Sequence, residues 1–325
     1  MISNNINRER AYAQFLASSK SNSVTVIDII KLGVTLMRKA RLHPHFFANN
    51  TLLATAQYLV FFSLDLPYEY SNSLYLQRPL NEAEILKILR VFEKRIGDRV
   101  PVEYITNEAD YLGFKFYVNE NVIVPRSLMN TRFTEFLAAV EWQNFRVLDL
   151  CTGSGCVGIT LALLHRLLKV DLVDISPEAL AVAARNISKY SLQERVRCIQ
   201  SDLFENVHEK YDLIITNPPY VSAAEYKRIP AEFKNEPKIS LEAADQGLEI
   251  INRILQQSKD YLMPHGKLIV EVGYPAAKRL KSRYRHLPLE WYSYKKPNSP
   301  TTFFTKWIEP LVAMPGVLAC DAKFL

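Results

Sequence analysis

Apolar positions in the first hundred residues recur at helical spacing. Ile27, Ile30, Val34 and Met37 share one face, a second apolar stretch covers 52–64, and Ile85, Ile88, Leu89, Phe92 and Ile96 form a third stripe. Apolar residues recurring every three or four places mark helices that bury one side. Asn81 ahead of Glu82 and Glu84 predicts the start of the third helix, a polar cap followed by early acids, and Gly97 its end. From 102 to 124 aromatic and β-branched residues gather around Asn107 and Gly113, which predicts a β-hairpin linking two domains. Beyond residue 130 the period changes. Short Val-, Ile- and Leu-rich runs at 145–150, 169–174, 196–201, 211–216 and 267–272 alternate with helical patterns over 156–167, 177–190 and 248–262, and after Pro275. Such alternation predicts an α/β domain with a parallel sheet covered on both faces. Two closing strands near 289–295 and 301–307 have no clear helical pattern between them. The expected organisation is a helical domain over 1–100, a hairpin linker over 101–129, the α/β domain over 130–309 and a tail over 310–325, without internal repeats.

Polar residues sit where these strands end. The run Tyr211–Thr216 closes in Asn217-Pro218-Pro219-Tyr220. Two prolines lack an N–H and lock φ, so this turn cannot extend a backbone ladder. It leaves two fixed acceptors, the Asn217 side-chain oxygen and the Pro218 carbonyl, beside an aromatic face, a claw suited to a planar NH2 group. Upstream, 145–150 opens into Cys151-Thr152-Gly153-Ser154-Gly155-Cys156-Val157-Gly158, small residues that let a backbone approach a ligand at the carboxyl edge of a sheet. The glycine spacing alone also admits a dinucleotide fold. Against it, Asp149 precedes the glycines and the next strand-like runs end in Asp174 and Asp202. Asp174 is placed to accept ribose hydroxyls, Asp202 to accept from an adenine amine, and Asp149 to face positive charge, together a pocket for a cationic adenosyl ligand. Each aspartate alone reads equally as a helix cap.

The order Asp-Leu-Cys-Thr-Gly-Ser-Gly-Cys (149–156), Val-Asp-Ile-Ser-Pro-Glu-Ala-Leu (173–180), Ser-Asp-Leu-Phe (201–204) and Asn-Pro-Pro-Tyr-Val (217–221) resembles the protein-(glutamine-N5) methyltransferases. Pro101-Val102-Glu103-Tyr104-Ile105-Thr106, Gly113-Phe114-Lys115-Phe116-Tyr117-Val118 and Val124-Pro125-Arg126-Ser127 are similar to the branch that modifies large-subunit ribosomal protein L-three. The likeness spans about 25–305. It implies a class I methyltransferase fold, Rossmann-like and mostly parallel with an antiparallel edge, and S-adenosylmethionine as cofactor. It further implies that Asp149, Cys151, Thr152, Gly153, Ser154, Gly155, Asp174, Ile175, Asp202, Leu203 and Asn217 bind the cofactor. Asn217, Pro218, Pro219, Tyr220 and Arg126 would bind the substrate, with Asn217, Pro218 and Tyr220 carrying the chemistry. The chain departs from that branch at Leu128, where proline is usual, with the following acid displaced to Glu135. It departs again at Ala243-Ala244 and Asp245-Gln246, which replace glycine-containing pairs.

Composition narrows the setting. The 325 residues are 48% hydrophobic, enough for two cores, and Cys151, Cys156, Cys198 and Cys320 are scattered without a Cys-x-x-Cys pair, which predicts reduced thiols. The first ten residues lack a signal-peptide core and no apolar run nears the roughly 20 residues of a membrane span, so a cytoplasmic, soluble enzyme is expected. His43-Pro44-His45 has no ligand-spaced partner, so no metal is expected. Forty basic against 34 acidic residues, a net charge of +6, suits an RNA-rich partner or plain solubility. Release-factor glutamine methylation, adenine-N6 methylation of nucleic acid and a non-catalytic ribosome-binding role stay open as alternatives. A nicotinamide dehydrogenase would leave the claw unexplained.

Overall fold

In the helical part, α1 (Val26–Lys39) starts where the Asp28 carboxylate accepts the Thr25 N–H at 3.1 Å. Its buried line is Val26, Ile29, Ile30, Gly33 and Met37, which shares Ile30 and Met37 with the stripe expected from spacing and passes one position from its Ile27 and Val34. Gly33 sets the phase: a Cβ there would lie 2.4 Å from the ring of Phe92, so that ring packs directly on the helix backbone. The neighbouring α2 (Leu52–Ser63) is capped by Thr51, whose hydroxyl accepts the Ala54 N–H at 3.1 Å. In α3 (Glu82–Ile96) the expected cap is present as a reciprocal pair, with Asn81 accepting from Glu84 N–H at 2.9 Å and Glu84 from Asn81 N–H at 3.0 Å. Ile85, Ile88 and Phe92 of α3 join Ile29, Met37, Leu59 and Phe61 in one apolar core. This computed structural model describes residues 24–42, 51–68, 73–127, 145–285, 289–291 and 308–312. His43, His45, Leu128, Glu135 and Cys320 fall outside the described residues.

The chain divides into two units between Thr106 and Asn107. Val102–Thr106 is a short helix rather than the start of a hairpin. Pro101, whose carbonyl accepts the Tyr104 and Ile105 N–H groups, opens it with the fixed φ that suits a first turn. The hairpin is confined to β1 (Glu108–Tyr111) and β2 (Phe114–Tyr117), antiparallel from Glu108↔Tyr117 to Tyr111↔Phe114. Both loop residues, Leu112 (φ 56) and Gly113 (φ 78), are left-handed, the turn that matches strand twist.

A seven-stranded sheet of order β5-β4-β3-β6-β7-β9-β8 forms the second unit's centre. Its strands are β3 (Arg146–Leu150), β4 (Lys169–Asp174), β5 (Val196–Gln200), β6 (Tyr211–Thr216), β7 (Leu262–Gly273), β8 (Glu290–Trp291) and β9 (Ile308–Val312). Neighbours from β5 through β7 pair in parallel, while β9 runs antiparallel to β7 and β8. Leu148, Leu150, Ile214, Leu268 and Val270 fill one face; Val147, Leu213, Ile215 and Ile269 fill the other. Strands buried on both sides read as unbroken apolar runs. Helices α4 (Cys156–Leu164), α5 (Pro177–Lys189), α6 (Glu249–Gln257) and α7 (Tyr274–Arg283) follow their strands. The fold is the class I methyltransferase architecture expected above. The expected strand at 301–307 lies outside the described residues; the described part of β9, Ile308–Val312, runs into the segment assigned to a tail.

Candidate active site

The carboxyl ends of β5, β4, β3 and β6 lie side by side, and each contributes a different chemistry. After β3 the chain turns through Cys151 at φ 55, Gly153 at φ 56 and Gly155 at φ 78. The three glycines of this loop have separate tasks. Gly153 has nothing within 4 Å of a built Cβ and faces open space, whereas a Cβ on Gly155 would meet Ile159 and Leu172. Gly158 brings α4 against β4, a Cβ there lying 2.5 Å from Leu172 Cδ2. Asp149 is 3% exposed. Its Oδ2 accepts from Thr152 Oγ1 at 2.7 Å and from the Gly158 N–H at 2.9 Å, stitching loop to helix. Burial raises its pKa to about 7 against those two donors.

Asp174, at the end of β4, is held by backbone: Oδ2 accepts the Gly153 N–H at 2.9 Å and Oδ1 the Ser176 N–H at 3.0 Å. Burial pushes its pKa up, and the two N–H donors oppose the shift. Beyond β5, Ser201 donates its N–H to the Asp174 carbonyl at 3.0 Å. Asp202 is engaged otherwise than expected: its Oδ2 takes Arg253 Nη2 of α6 at 2.9 Å. At the end of β6, Thr216 Oγ1 donates to the Leu150 carbonyl at 2.8 Å and joins the two central strands below the claw.

In the claw itself, pairing with β7 stops at Thr216↔Val270. Asn217 Oδ1 is buried and has no hydrogen-bond partner among the described residues. Among the described residues no loop or turn backbone N–H donates to the Pro218 carbonyl. Tyr220 lays its ring over Gly273, where a Cβ would sit 2.8 Å from Cε2. Its carbonyl excludes any side chain at Gly247, whose φ is 85 and whose Cβ would come within 2.2 Å. Burial raises the Tyr220 phenol's pKa, Glu271 adding to the effect and Arg126 opposing it. Beyond the claw Val221 bridges to Glu242, fastening the following loop.

These ends enclose a cavity of about 220 Å³ lined by Cys151, Gly153, Asp174, Ile175, Asp202, Leu203, Asn217 and Pro219. Asp149, Thr152, Ser154, Gly155, Pro218 and Tyr220 are not among its lining residues. Its far wall comes from Ile239, Glu242, Ala243, Ala244, Ile250 and Arg253, and so includes the Ala243-Ala244 departure. A groove of about 510 Å³ shares Ile239, Glu242, Ala243 and Ala244 with it. The Asp245-Gln246 departure is left-handed at both residues (φ 49 and 58), with Asp245 held by Arg283 and by Asn252 Nδ2 at 2.9 Å. Arg126 does not line the cavity. Its guanidinium pairs with the buried Glu236 and lies 4.6 Å over the Phe233 ring, so it anchors the 122–127 strap to the loop after the claw.

The cavity's charged lining is four carboxylates, Asp174, Asp202, Glu242 and Glu249, against the Arg253 guanidinium. Such a wall suits a cation and opposes the pyrophosphate of a dinucleotide. Among the described residues no cluster of His, Cys, Asp or Glu is placed to hold a metal, and no helix is long and apolar enough to cross a membrane. Cys151, Cys156 and Cys198 are free thiols.

Residues 132–242 match the family model of the methyltransferase small domain. The chain is 38% identical over 272 residues to the ribosomal protein uL3 glutamine methyltransferase of Neisseria meningitidis serogroup B, covering 82% of this chain and 88% of that one. It is 36% identical over 280 residues to the protein of the same name from Francisella tularensis subsp. tularensis, covering 84% and 88%. Among solved structures it is similar to the hMettl16 catalytic domain in complex with MAT2A 3'UTR hairpin 1. That match has a TM-score of 0.50 at 16% identity over 79% of this chain and 92% of that chain, a likeness of fold.

Proposed function

The chain belongs to the family of ribosomal protein uL3 glutamine methyltransferases, and from that premise we propose how its claw and cavity perform the reaction. It transfers a methyl group to the side-chain amide nitrogen of a glutamine in uL3. The observation that carries the assignment of residues is the Asn217 Oδ1, buried without a donor. Leaving a buried acceptor unpaired costs about 1–3 kcal/mol, a cost a substrate NH2 group removes on binding. Asn217 Oδ1 and the Pro218 carbonyl take the two amide hydrogens, and Tyr220 and Pro219 flank the glutamine side chain.

As a methyltransferase the protein draws on a methyl donor, and the acidic cavity fits S-adenosylmethionine, with S-adenosylhomocysteine as product. Asp174 would receive the ribose hydroxyls, with Cys151, Gly153, Ile175 and Leu203 along the ligand. Thr152, Ser154 and Gly155 shape the loop. Asp202, whose Oδ2 is held by Arg253, would accept the adenine amine through its other carboxylate oxygen. When bound, this cofactor supplies an electrophilic methyl group on a sulfonium. The protein's first task is alignment: an amide nitrogen is a poor nucleophile, and holding it in line at about 3–3.5 Å from the methyl carbon contributes several kcal/mol. The second is electrostatic, because two fixed acceptors stabilise positive charge growing on the nitrogen. The proton then leaves to solvent. We assign substrate reading to the helical unit that ends at Thr106, and the cytoplasm, where ribosomal proteins are made, as the place of action.

Asp149 makes cofactor binding depend on pH. Its folded pKa, about 7, lies above the ordinary aspartate value of roughly 3.9. The stability it contributes is therefore full below that ordinary value and is lost as pH rises through about 7. A cation in the cavity favours the ionised form, so binding releases the proton. Calorimetry is expected to give S-adenosylmethionine affinity rising several-fold from pH 6 to pH 8; a flat profile contradicts this role.

The claw is tested from the substrate side. A uL3 variant with glutamate in place of the target glutamine offers no N–H and faces two acceptors with a carboxylate. It is expected to escape methylation and to bind the cofactor-loaded enzyme about tenfold or more weakly. Binding as tight as unmodified uL3 overturns the acceptor geometry.

A further inference from the structure

The run Leu268-Ile269-Val270-Glu271-Val272 places one carboxylate inside an otherwise apolar interior strand. Glu271 is 1% exposed. Burying a carboxylate is costly unless it is hydrogen-bonded and has a use. The Ser127 hydroxyl donates to Glu271 Oε2, and the buried Tyr111 phenol of β1 hydrogen-bonds the same serine. This joins the strap at 122–127 to the sheet. The parallel register ends at Thr216↔Val270, so the next residue on each strand is Asn217 on β6 and Glu271 on β7. Adjacent strands lie about 4.8 Å apart. Two residues further along β7, Gly273 seats the Tyr220 ring. Glu271 thus follows the last strand pair below Asn217, precedes by two residues the glycine that seats Tyr220, and acts electrostatically on the Tyr220 phenol.

We propose that Glu271 is a positioning residue for methyl transfer. Its carboxylate, fixed by Ser127, holds the claw in place and supplies negative potential behind the amide nitrogen as that nitrogen becomes positive. The proposal rests on the claw reading given above. Arg126, the nearby cation, pairs with Glu236 and lies over the Phe233 ring. Charge matters here because positive charge exists on the nitrogen in the transition state and not in the bound amide. An interaction of this kind raises kcat without changing KM.

Glu271→Gln keeps an acceptor for Ser127 and removes the charge. The expected result is a kcat on uL3 lower by about tenfold or more, about 1.4 kcal/mol per factor of ten, with KM for uL3 and cofactor affinity unchanged. A Glu271→Gln enzyme as fast as the parent, beside an inactive Glu271→Ala, makes the residue a structural hydrogen-bond acceptor and overturns the proposal. Ser127→Ala covers the case in which Glu271→Gln does not fold, since it keeps the carboxylate and removes the serine hydrogen bond to it. There kcat is expected to fall threefold or more at constant KM, and an unchanged kcat overturns the proposal. Asn217→Ala, run in parallel, separates the two readings. If it transfers normally the claw fails; if it is impaired while Glu271→Gln and Ser127→Ala are not, the role of Glu271 alone fails.

Discussion

Asn217→Ala is expected to slow methyl transfer to uL3 by roughly 10²-fold, the usual scale for deleting one preorganised polar contact to developing charge. The side chain lies at the end of β6, past the last β7 pair, with Oδ1 buried and without a donor among the described residues. Removing it takes away half of the acceptor set, while the prolines keep the turn. Cofactor affinity is expected to stay within about threefold, because Asp174 and its two backbone donors are untouched. The deletion also removes an unsatisfied buried acceptor, so thermal stability should hold or rise slightly. Single-turnover transfer beside a cofactor titration separates these effects. A variant that binds cofactor normally and transfers at the parent rate contradicts the assignment.

Gly158→Val is expected to lower the melting temperature by about 2–12 °C. Overpacking costs roughly 1–3 kcal/mol, and each kcal/mol is worth about 2–4 °C in a domain of this size. A Cβ at this position would stand 2.5 Å from Leu172 Cδ2 and 3.0 Å from both Asp149 Oδ2 and Val170 Cγ1. Helix α4 must then lift from β4. That movement also strains the Gly158 N–H to Asp149 hydrogen bond, 2.9 Å in the parent, and with it the loop through Gly153. Cofactor affinity is therefore expected to fall along with stability. An unchanged melting curve by calorimetry would show that the helix–sheet contact has slack that this packing does not.

The strand ends were readable in the sequence because interior parallel strands are unbroken apolar runs, so Asp149, Asp174 and Asn217 stood out as polar residues at their termini. Asp202 was readable as a position but not in its pairing with Arg253, which approaches from α6 some fifty residues on. Apart from Ala243-Ala244, visible as a departure from the family pattern, the cavity's far wall was hidden for a related reason: Ile239 to Glu242 lie in a 3-10 turn and irregular chain that carry no period to detect. In α1 the expected stripe found Ile30 and Met37 but missed Gly33, because a glycine, invisible to an apolar count, makes the contact with Phe92. Arg126 looked like a substrate residue through resemblance, yet a buried partner, Glu236, claims it. Glu271 offered a readable signal, a lone charge amid apolar strand residues, that a search for ligand residues at strand ends passes over.

The most direct test of the central claim uses uL3, release factor and nucleic acid taken from cells lacking this enzyme. Each is incubated with the protein and methyl-labelled S-adenosylmethionine, and mass spectrometry locates the label. Label on the side-chain nitrogen of a single uL3 glutamine, absent from the other two, is the expected result. Label on release factor or nucleic acid with none on uL3 would contradict it.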